Sequence, residues 1–529
     1  MIQRVVLLVP LLFLVLLFVI PVAAVIRVGA RDGPEAMLAV VGAGRTWRIL
    51  GFTVAQAALS TAATMIVAMP AAVVLARFRF PGRALVRALV LVPFVMPTVV
   101  VAAAFLALIG PGGVLAVDLS GSLWGLVVAH VFLNIAVVIR VVGSVLSTID
   151  PRLEQAAQVL GASRWQAWWR VTWPLLRPGL RSSALIVFLF SFTSFGVVQV
   201  LGAGQLRTLE VEIYRQTAFL LDLPAAAALS LLQLLAVVAL LAVVGNTASV
   251  VSGPAVDVAR PPRGWRQRIG VAVVVTLTAA AVLAPLLIVL VRSLTIDGQW
   301  TTLGWQTLFA QGTSTNSVDP WSAVLASLRT AAAATLIAVT IGGMAAFGLA
   351  FSGRGRWLRS VDAMLLLPLG TSAVTVGLGM LLAFGRPPID LRNTGLLIVL
   401  AQSLVAMPFV VRVLVPALQG FDRRYLQVAS VLGRSPANAL RSVAVPLVLP
   451  AVLVATGFAF AVTIGEFGAT VFLASPADPT LPVAISRLLA RPGAVTVAAA
   501  YAAGALLMLV TVAVVVAIDR VRLNRAVGF

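Results

Sequence analysis

Apolar runs long enough to cross ~30 Å of hydrocarbon at 1.5 Å per residue recur twelve times along this chain. In a bilayer every backbone N–H and C=O must be satisfied internally, so a chain of this kind is restricted to helices or a closed barrel. Continuous apolar runs, in place of short alternating segments, select the helices. The expected fold class is therefore an all-α polytopic membrane protein. In the first half the runs lie near 5–26, 50–76, 88–110, 121–146, 181–203 and 223–248; in the second, near 269–291, 328–351, 360–384, 394–418, 449–473 and 494–517. The first, Val5 to Ile26, follows one basic residue and lacks a small-residue cleavage pattern, so it reads as a retained span. Composition agrees: 61% of residues are hydrophobic and only 10% charged, against ~25% charged in soluble domains.

Cysteine is absent and His130 is the one histidine, which excludes disulfides, thiol chemistry and Cys- or His-cluster metal sites. All 38 basic residues are arginine. Without lysine the chain cannot form a P-loop of the G-x-x-x-x-G-K-[ST] type, so ATP hydrolysis of that kind would belong to another polypeptide. A net charge of +21 would point a soluble protein toward nucleic acid, but here its distribution matters more. With the N-terminus inside, cytoplasmic segments hold 26 arginines against 12 elsewhere, and 6 acidic residues against 11. Basic residues are retained on the cytoplasmic side, so the expected topology is N-in and C-in. On this reading 27–48, 202–222, 293–327 and 475–491 are external segments.

The polar stretch EQAAQVLGASRWQAWWRVTWPLLRP from Glu154 is answered by LQVASVLGRSPANALRSVAVPLVLP from Leu426, with Gly161, Pro174 and Pro178 matching Gly433, Pro446 and Pro450 at a constant offset of 272. A fixed offset marks a tandem duplication. The chain divides accordingly into a first half (1–248), a Pro- and Arg-rich linker (249–268) and a second half (269–529), with the repeated loops at 150–178 and 422–450. Each copy encodes helix, turn, helix. Asp150 caps a helix with Pro151 at its first position, Gly161 stops it, and Ser163 with Gln166 makes a capping box. Asp422, Gly433, Ser435 and Pro436 repeat the scheme. Pro174 is expected to end the second helix. Trp165, Trp168, Trp169 and Trp173 with Arg164 and Arg170 fit an amphipathic helix on headgroups, but two copies at equal positions favour docking of a two-fold partner.

The pattern E-A-A, three residues, G, nine residues, I, one residue, L-P resembles the EAA loop of bacterial ABC importer permeases. It falls on Gln155, Ala156, Ala157, Gly161, Val171, Trp173 and Pro174, then on Gln427, Val428, Ala429, Gly433, Val443, Val445 and Pro446. The family's glutamate is glutamine in both copies, with Glu154 a neighbouring acid in the first copy only. Two fused six-span halves are similar to the thiamine and ferric-iron branch. Phe195-Gly196, Thr208-Leu209 and Arg215 answer Phe467-Gly468, Thr480-Leu481 and Arg487 at the same offset. The resemblance implies a permease subunit in the bacterial plasma membrane with no chemistry or cofactor of its own. It also implies two cytoplasmic ATP-binding subunits that use the ATP, and an external solute-binding protein.

An ionisable group within a span is costly, which makes Glu466 a candidate for the solute path, with Ser194 at its counterpart position and Thr463 and Gln199 as weaker candidates. His130 reads as a satisfied interior residue, and Gly342-Gly343 and Gly377 to Gly379 as helix-packing sites. Twelve spans in two halves also suit a proton- or ion-coupled secondary transporter of the major facilitator type. Against that, the duplicated loop falls between spans four and five of each half. An interaction scaffold or channel has no positive feature in its favour.

Overall fold

The computed structural model describes residues 2–245, 259–310, 320–352, 355–387, 389–392, 394–422, 424–475 and 479–526; the expected linker therefore lies outside the described residues up to position 258. The protein is an all-α polytopic membrane protein. Among the described residues ten helices are long and apolar enough to span, and two bent pairs bring the number to twelve when each pair is taken as one span. The first half runs α1 (Val6–Gly29), α2 (Gly44–Arg77), the bent pair α3 (Arg83–Val95) and α4 (Thr98–Ile109), then α5 (Leu123–Thr148). It continues with α6 (Pro151–Val159), α7 (Arg164–Phe192), α8 (Leu209–Ala218) and α9 (Leu223–Ala242). The second half runs α10 (Gly264–Ser293), α11 (Trp321–Phe351), the pair α12 (Trp357–Pro368) and α13 (Ala373–Phe384), then α14 (Leu396–Gln419). After it come α15 (Arg424–Val431), α16 (Arg441–Ile464), α17 (Leu481–Leu489) and α18 (Ala494–Ile518).

The bends have a local cause. Met96 precedes Pro97 and takes an extended conformation, as the proline ring demands of its predecessor, and α3 turns into α4 by 102°. At the matching place the Ser372 hydroxyl accepts from Val374 and Thr375 N–H at 3.0 and 3.2 Å, starting α13 afresh after an 89° bend.

Two expectations need correction, and two segments are more ordered than their sequences suggest. Pro174 does not end a helix. It lies in the continuous helix α7, just after a π-turn over Trp168–Thr172 in which Trp173 N–H donates to Trp168 O. Widening the turn by one residue accommodates a proline, which has no N–H to give. The fifth span therefore starts at the loop and stops at Phe192, short of the expected 203. The segments expected to be external at 202–222 and 475–491 hold buried helices: Leu209 and Ile213 of α8 and Val483 and Ile485 of α17 are each 0% exposed. These helices are too short to span, and that shortness made their sequences resemble loops.

The chain forms two compact units that cut across its halves. One comprises Met1–Ala39, Ile213–Leu231 and Ser293–Phe529. Its core joins Leu7, Leu14 and Phe18 of α1 to Leu349, Met380 and Leu397 from the second half. Glycines mark the crossings: a Cβ at Gly348 would lie 2.4 Å from Leu7, and one at Gly379 3.0 Å from Pro21. Gly342 and Gly377 likewise approach Val410 and Ala469, as packing sites do. The other unit comprises Val40–Glu212 and Leu232–Arg292. There Ala68, Ala72 and Leu75 of α2 pack with Val138 and Val142 of α5 and Leu176 of α7, and Val274 of α10 joins them. Arg292 at the far end of α10 donates to Gly112 O at 2.6 Å. Each half thus lends its first span to the unit built mainly from the other.

Candidate functional site

Both repeated loops fold as helix, tight turn, helix, and hydrogen bonds show why. In the first, the Asp150 carboxylate accepts from Arg152 N–H at 2.9 Å, opening α6. Gly161, at φ +91°, closes it: Gly161 N–H donates to Gln158 O and Ala162 N–H to Ala157 O, both at 3.0 Å. This is a Schellman turn, which needs a left-handed residue where Gly161 stands. Ser163 and Gln166 then exchange both bonds of a capping box, at 3.2 and 2.9 Å. In the second loop Asp422 accepts from Arg424 N–H at 2.9 Å, Gly433 sits at φ +79°, and Gly433 and Arg434 donate to Ser430 O and Ala429 O at 3.0 Å. The carbonyls of Ala157 and Ala429 therefore close the two turns. Pro446 follows a π-turn over Leu440–Ala444, as Pro174 follows its own.

The surface of each turn carries an apolar pair. Val159 and Leu160 are 87% and 88% exposed, and Val431 and Leu432, 272 residues on, are 87% and 77% exposed. Gln155, Ala156 and Gln427 are exposed, Ala157 is half-buried and Ala429 is buried. A Cβ added at Gly161 or Gly433 meets nothing within 4 Å. Sequence reasoning singled out the glycines but missed the apolar pairs just before them, whose signal is two large apolar residues in an otherwise polar stretch.

Glu154 does not face outward as a substitute for the missing family glutamate. Its carboxylate takes Arg77, at the end of α2, at 2.9 Å and the Thr172 hydroxyl of α7. With side chains 13% and 22% exposed, this ion pair braces the first loop against the spans. At the second loop Leu426 and Ala444 occupy the positions of Glu154 and Thr172, so that brace is not repeated. Along α7, Trp165, Trp169 and Trp173 stack edge-to-face and tilted at 5.5 and 4.8 Å, while Trp168 and Trp173 pack against the core.

Inside the spans, the break after α7 is held by His130. Its Nδ1 meets Ser60 Oγ at 3.1 Å and its Nε2 meets Ser194 Oγ at 2.9 Å, linking α2, α5 and the end of α7. A neutral imidazole donates from one nitrogen and accepts at the other, so His130 is satisfied. The break after α16 is held differently. The Glu466 carboxylate, 7% exposed, accepts from Ala469 N–H at 2.8 Å, from Thr470 N–H at 3.0 Å and from the Thr470 hydroxyl. It caps the short helix Thr470–Leu473. Thr463, 0% exposed, lies one turn before Glu466 and meets the Thr335 hydroxyl at 3.2 Å. Gln199 is partly buried on the short helix Gly196–Leu201.

Two further carboxylates were not foreseen. Glu210 and Glu212 of α8 are 0% and 2% exposed; Glu210 accepts from Gln233 Nε2 at 2.6 Å and Glu212 pairs with Arg45 at 3.1 Å. Their signal was acidity two residues apart in LEVEIY, hidden by the assignment of that segment to an external loop.

A membrane body of six-span repeats, each presenting a Schellman-turned loop between its fourth and fifth spans, defines a permease component. The chain belongs to the family described as binding-protein-dependent transport system inner membrane component, whose pattern matches twice, over residues 68–258 and 338–525. It is a multi-pass inner membrane protein, a subunit of a kind without enzymatic activity of its own.

Among its relatives is the thiamine transport system permease protein ThiP of Brucella suis, 28% identical over 501 residues that cover 91% of this chain and 89% of the relative. The ThiP protein of Escherichia coli is 27% identical over 465 residues, 82% of each chain. The sulfate transport system permease protein CysW of Synechocystis is 32% identical over 240 residues, covering 44% of this chain and 87% of that protein. A single-length permease thus aligns with less than half of the chain, while the thiamine permeases align with nearly all of it.

Proposed function

We propose that this chain is the fused double permease of an ATP-driven thiamine importer. One observation carries the coupling part of the reading: two turns with the same hydrogen-bond pattern, 272 residues apart, each present an exposed apolar pair just before a left-handed glycine. Two copies of a cytoplasmic ATP-binding subunit grip these pairs, one per loop, and their closure swings the halves between inward- and outward-facing states. The N-in, C-in orientation puts both loops on the side where ATP is available. An external binding protein delivers the solute. In this scheme the domains are the halves 1–248 and 269–529, and Gln155, Ala156, Gln427 and their neighbours make neutral contacts where the family commonly places a charge.

Full-length relatives carry thiamine in their names, which places thiamine ahead of ferric iron. Glu466 and Ser194 hold the breaks after the fifth spans through their hydrogen bonds, and they, with Thr463 and Gln199, each lie on a solute path or gate within their own half. The family match leaves no role for a major facilitator mechanism. Uptake of labelled solute into proteoliposomes tests the reading. Thiamine entry that requires the ATPase, ATP and the binding protein supports it. ATP-independent entry, or competition by ferric iron in place of thiamine, refutes it.

A further inference from the structure

The linker's arginines do not hang free at the end of α10; the backbone ties them to the end of α2. Arg79 N–H donates to Arg260 O at 3.0 Å and Arg260 N–H to Arg77 O at 3.1 Å, a two-residue bridge between segments about 180 positions apart. The joined stretches, 77–87 and 259–268, contain eight arginines and no aspartate or glutamate. Arg79, Arg260, Arg263, Arg266 and Arg268 are all exposed. Trp265 beside them is 68% exposed, with the Arg266 guanidinium 5.5 Å from its ring centroid, an arrangement suited to a headgroup layer.

A cleft of about 580 Å³ leads away from this cluster. It begins at Phe78 and Gln267 and runs between α2 and α10 to Ile66 and Val274. The twelve helical residues from Ile66 to Arg77 span roughly 18 Å, about the depth of one leaflet's hydrocarbon. Its lining is apolar, and Gly270 contributes no side chain to fill it. Volumes of ~300–1,000 Å³ are those of small-molecule sites.

We infer that this cleft is a binding site for one anionic phospholipid, its acyl chain lying between α2 and α10 and its phosphate on the arginines of the bridged segments. Charge complementarity fixes the headgroup sign: Arg77 is taken by Glu154, and Arg83 and Arg87 donate to Leu75 O, but the exposed Arg79, Arg260, Arg263, Arg266 and Arg268 lie in stretches without a carboxylate of their own. The cleft's length and apolar lining fix the rest of the ligand. On the proposed orientation the site opens to the cytoplasmic leaflet, where anionic lipids attract such arginines. The inference does not depend on which solute is carried.

Native mass spectrometry of the whole protein, released from detergent micelles doped with equal phosphatidylglycerol and phosphatidylcholine, tests it. The wild type is expected to retain phosphatidylglycerol at least tenfold over phosphatidylcholine. The combined variant R260Q/R263Q/R266Q/R268Q should lose that preference, while Gly270→Leu, which fills the cleft and leaves the arginines, should lower retention of both lipids. Equal retention of the two lipids by the wild type overturns the site, as does an unchanged preference in the four-arginine variant. Thermal melting of each variant in the same detergent shows that a loss of lipid is not a loss of fold.

Discussion

Glu154 shows how a single side chain can be misplaced by its neighbourhood in sequence. It stands beside a glutamine where the resembled family has glutamate, the one neighbouring acid in the first copy. The structure instead spends its charge on Arg77 and Thr172. Removing a partner from a partly buried charged pair costs about 1–3 kcal/mol. Glu154→Ala is therefore expected to lower the detergent melting temperature, with Arg77→Ala adding less than its own effect in a double-mutant cycle. Additive losses would mean the two residues do not interact. His130 offers a second residue-scale test. Gln402 stands 272 positions on, so a glutamine is tolerated by the other half in that place. His130→Leu leaves the Ser60 and Ser194 hydroxyls unpaired and should destabilise by about 1–3 kcal/mol, whereas His130→Gln should recover most of that loss in a melting experiment.

At the level of elements, the loops were the most legible part of the chain. Their caps and turns use local chemistry within a few residues, so Asp150, Gly161, Ser163 and Gly433 could be assigned from sequence and have the expected hydrogen bonds and φ angles. Pro174 was misread because a proline signals a helix end only where the turn before it has normal width; the π-turn at Trp168–Thr172 leaves no trace in composition. Helices α8 and α17 were hidden for another reason. Their burial depends on distant packing partners, and a ten-residue helix cannot advertise itself by length. Val159 and Leu160 are almost fully exposed, so their replacement has little effect on the fold. V159D/L160D should keep normal expression and melting yet lose co-purification of the ATP-binding subunit from its loop. Retained co-purification would show that the apolar pair is not a contact.

For the molecule as a whole, the number of spans and the duplication were readable, because hydrocarbon thickness and a constant offset are properties of one linear sequence. The exchange of first spans was not. Leu7 meets Gly348 and Val274 joins the core around α2, pairings between residues hundreds of positions apart that no periodicity encodes. A consequence follows for assembly. Co-expressed fragments 1–248 and 249–529 should co-purify through their exchanged spans, and separation of the two in mild detergent would contradict that exchange.

On the proposed function, two glycine-turned loops couple an ATPase to this membrane body. Gly161 and Gly433 have positive φ and open space around them, so a bulky side chain strains each turn by about 1–2 kcal/mol and projects into the region proposed for ATPase docking. The decisive measurement is ATP-driven thiamine uptake by proteoliposomes containing the G161W/G433W double variant with its ATPase and binding protein. Uptake and transport-coupled ATP hydrolysis are expected to disappear while the variant still inserts and melts as a folded protein. Wild-type uptake by that variant would contradict the account.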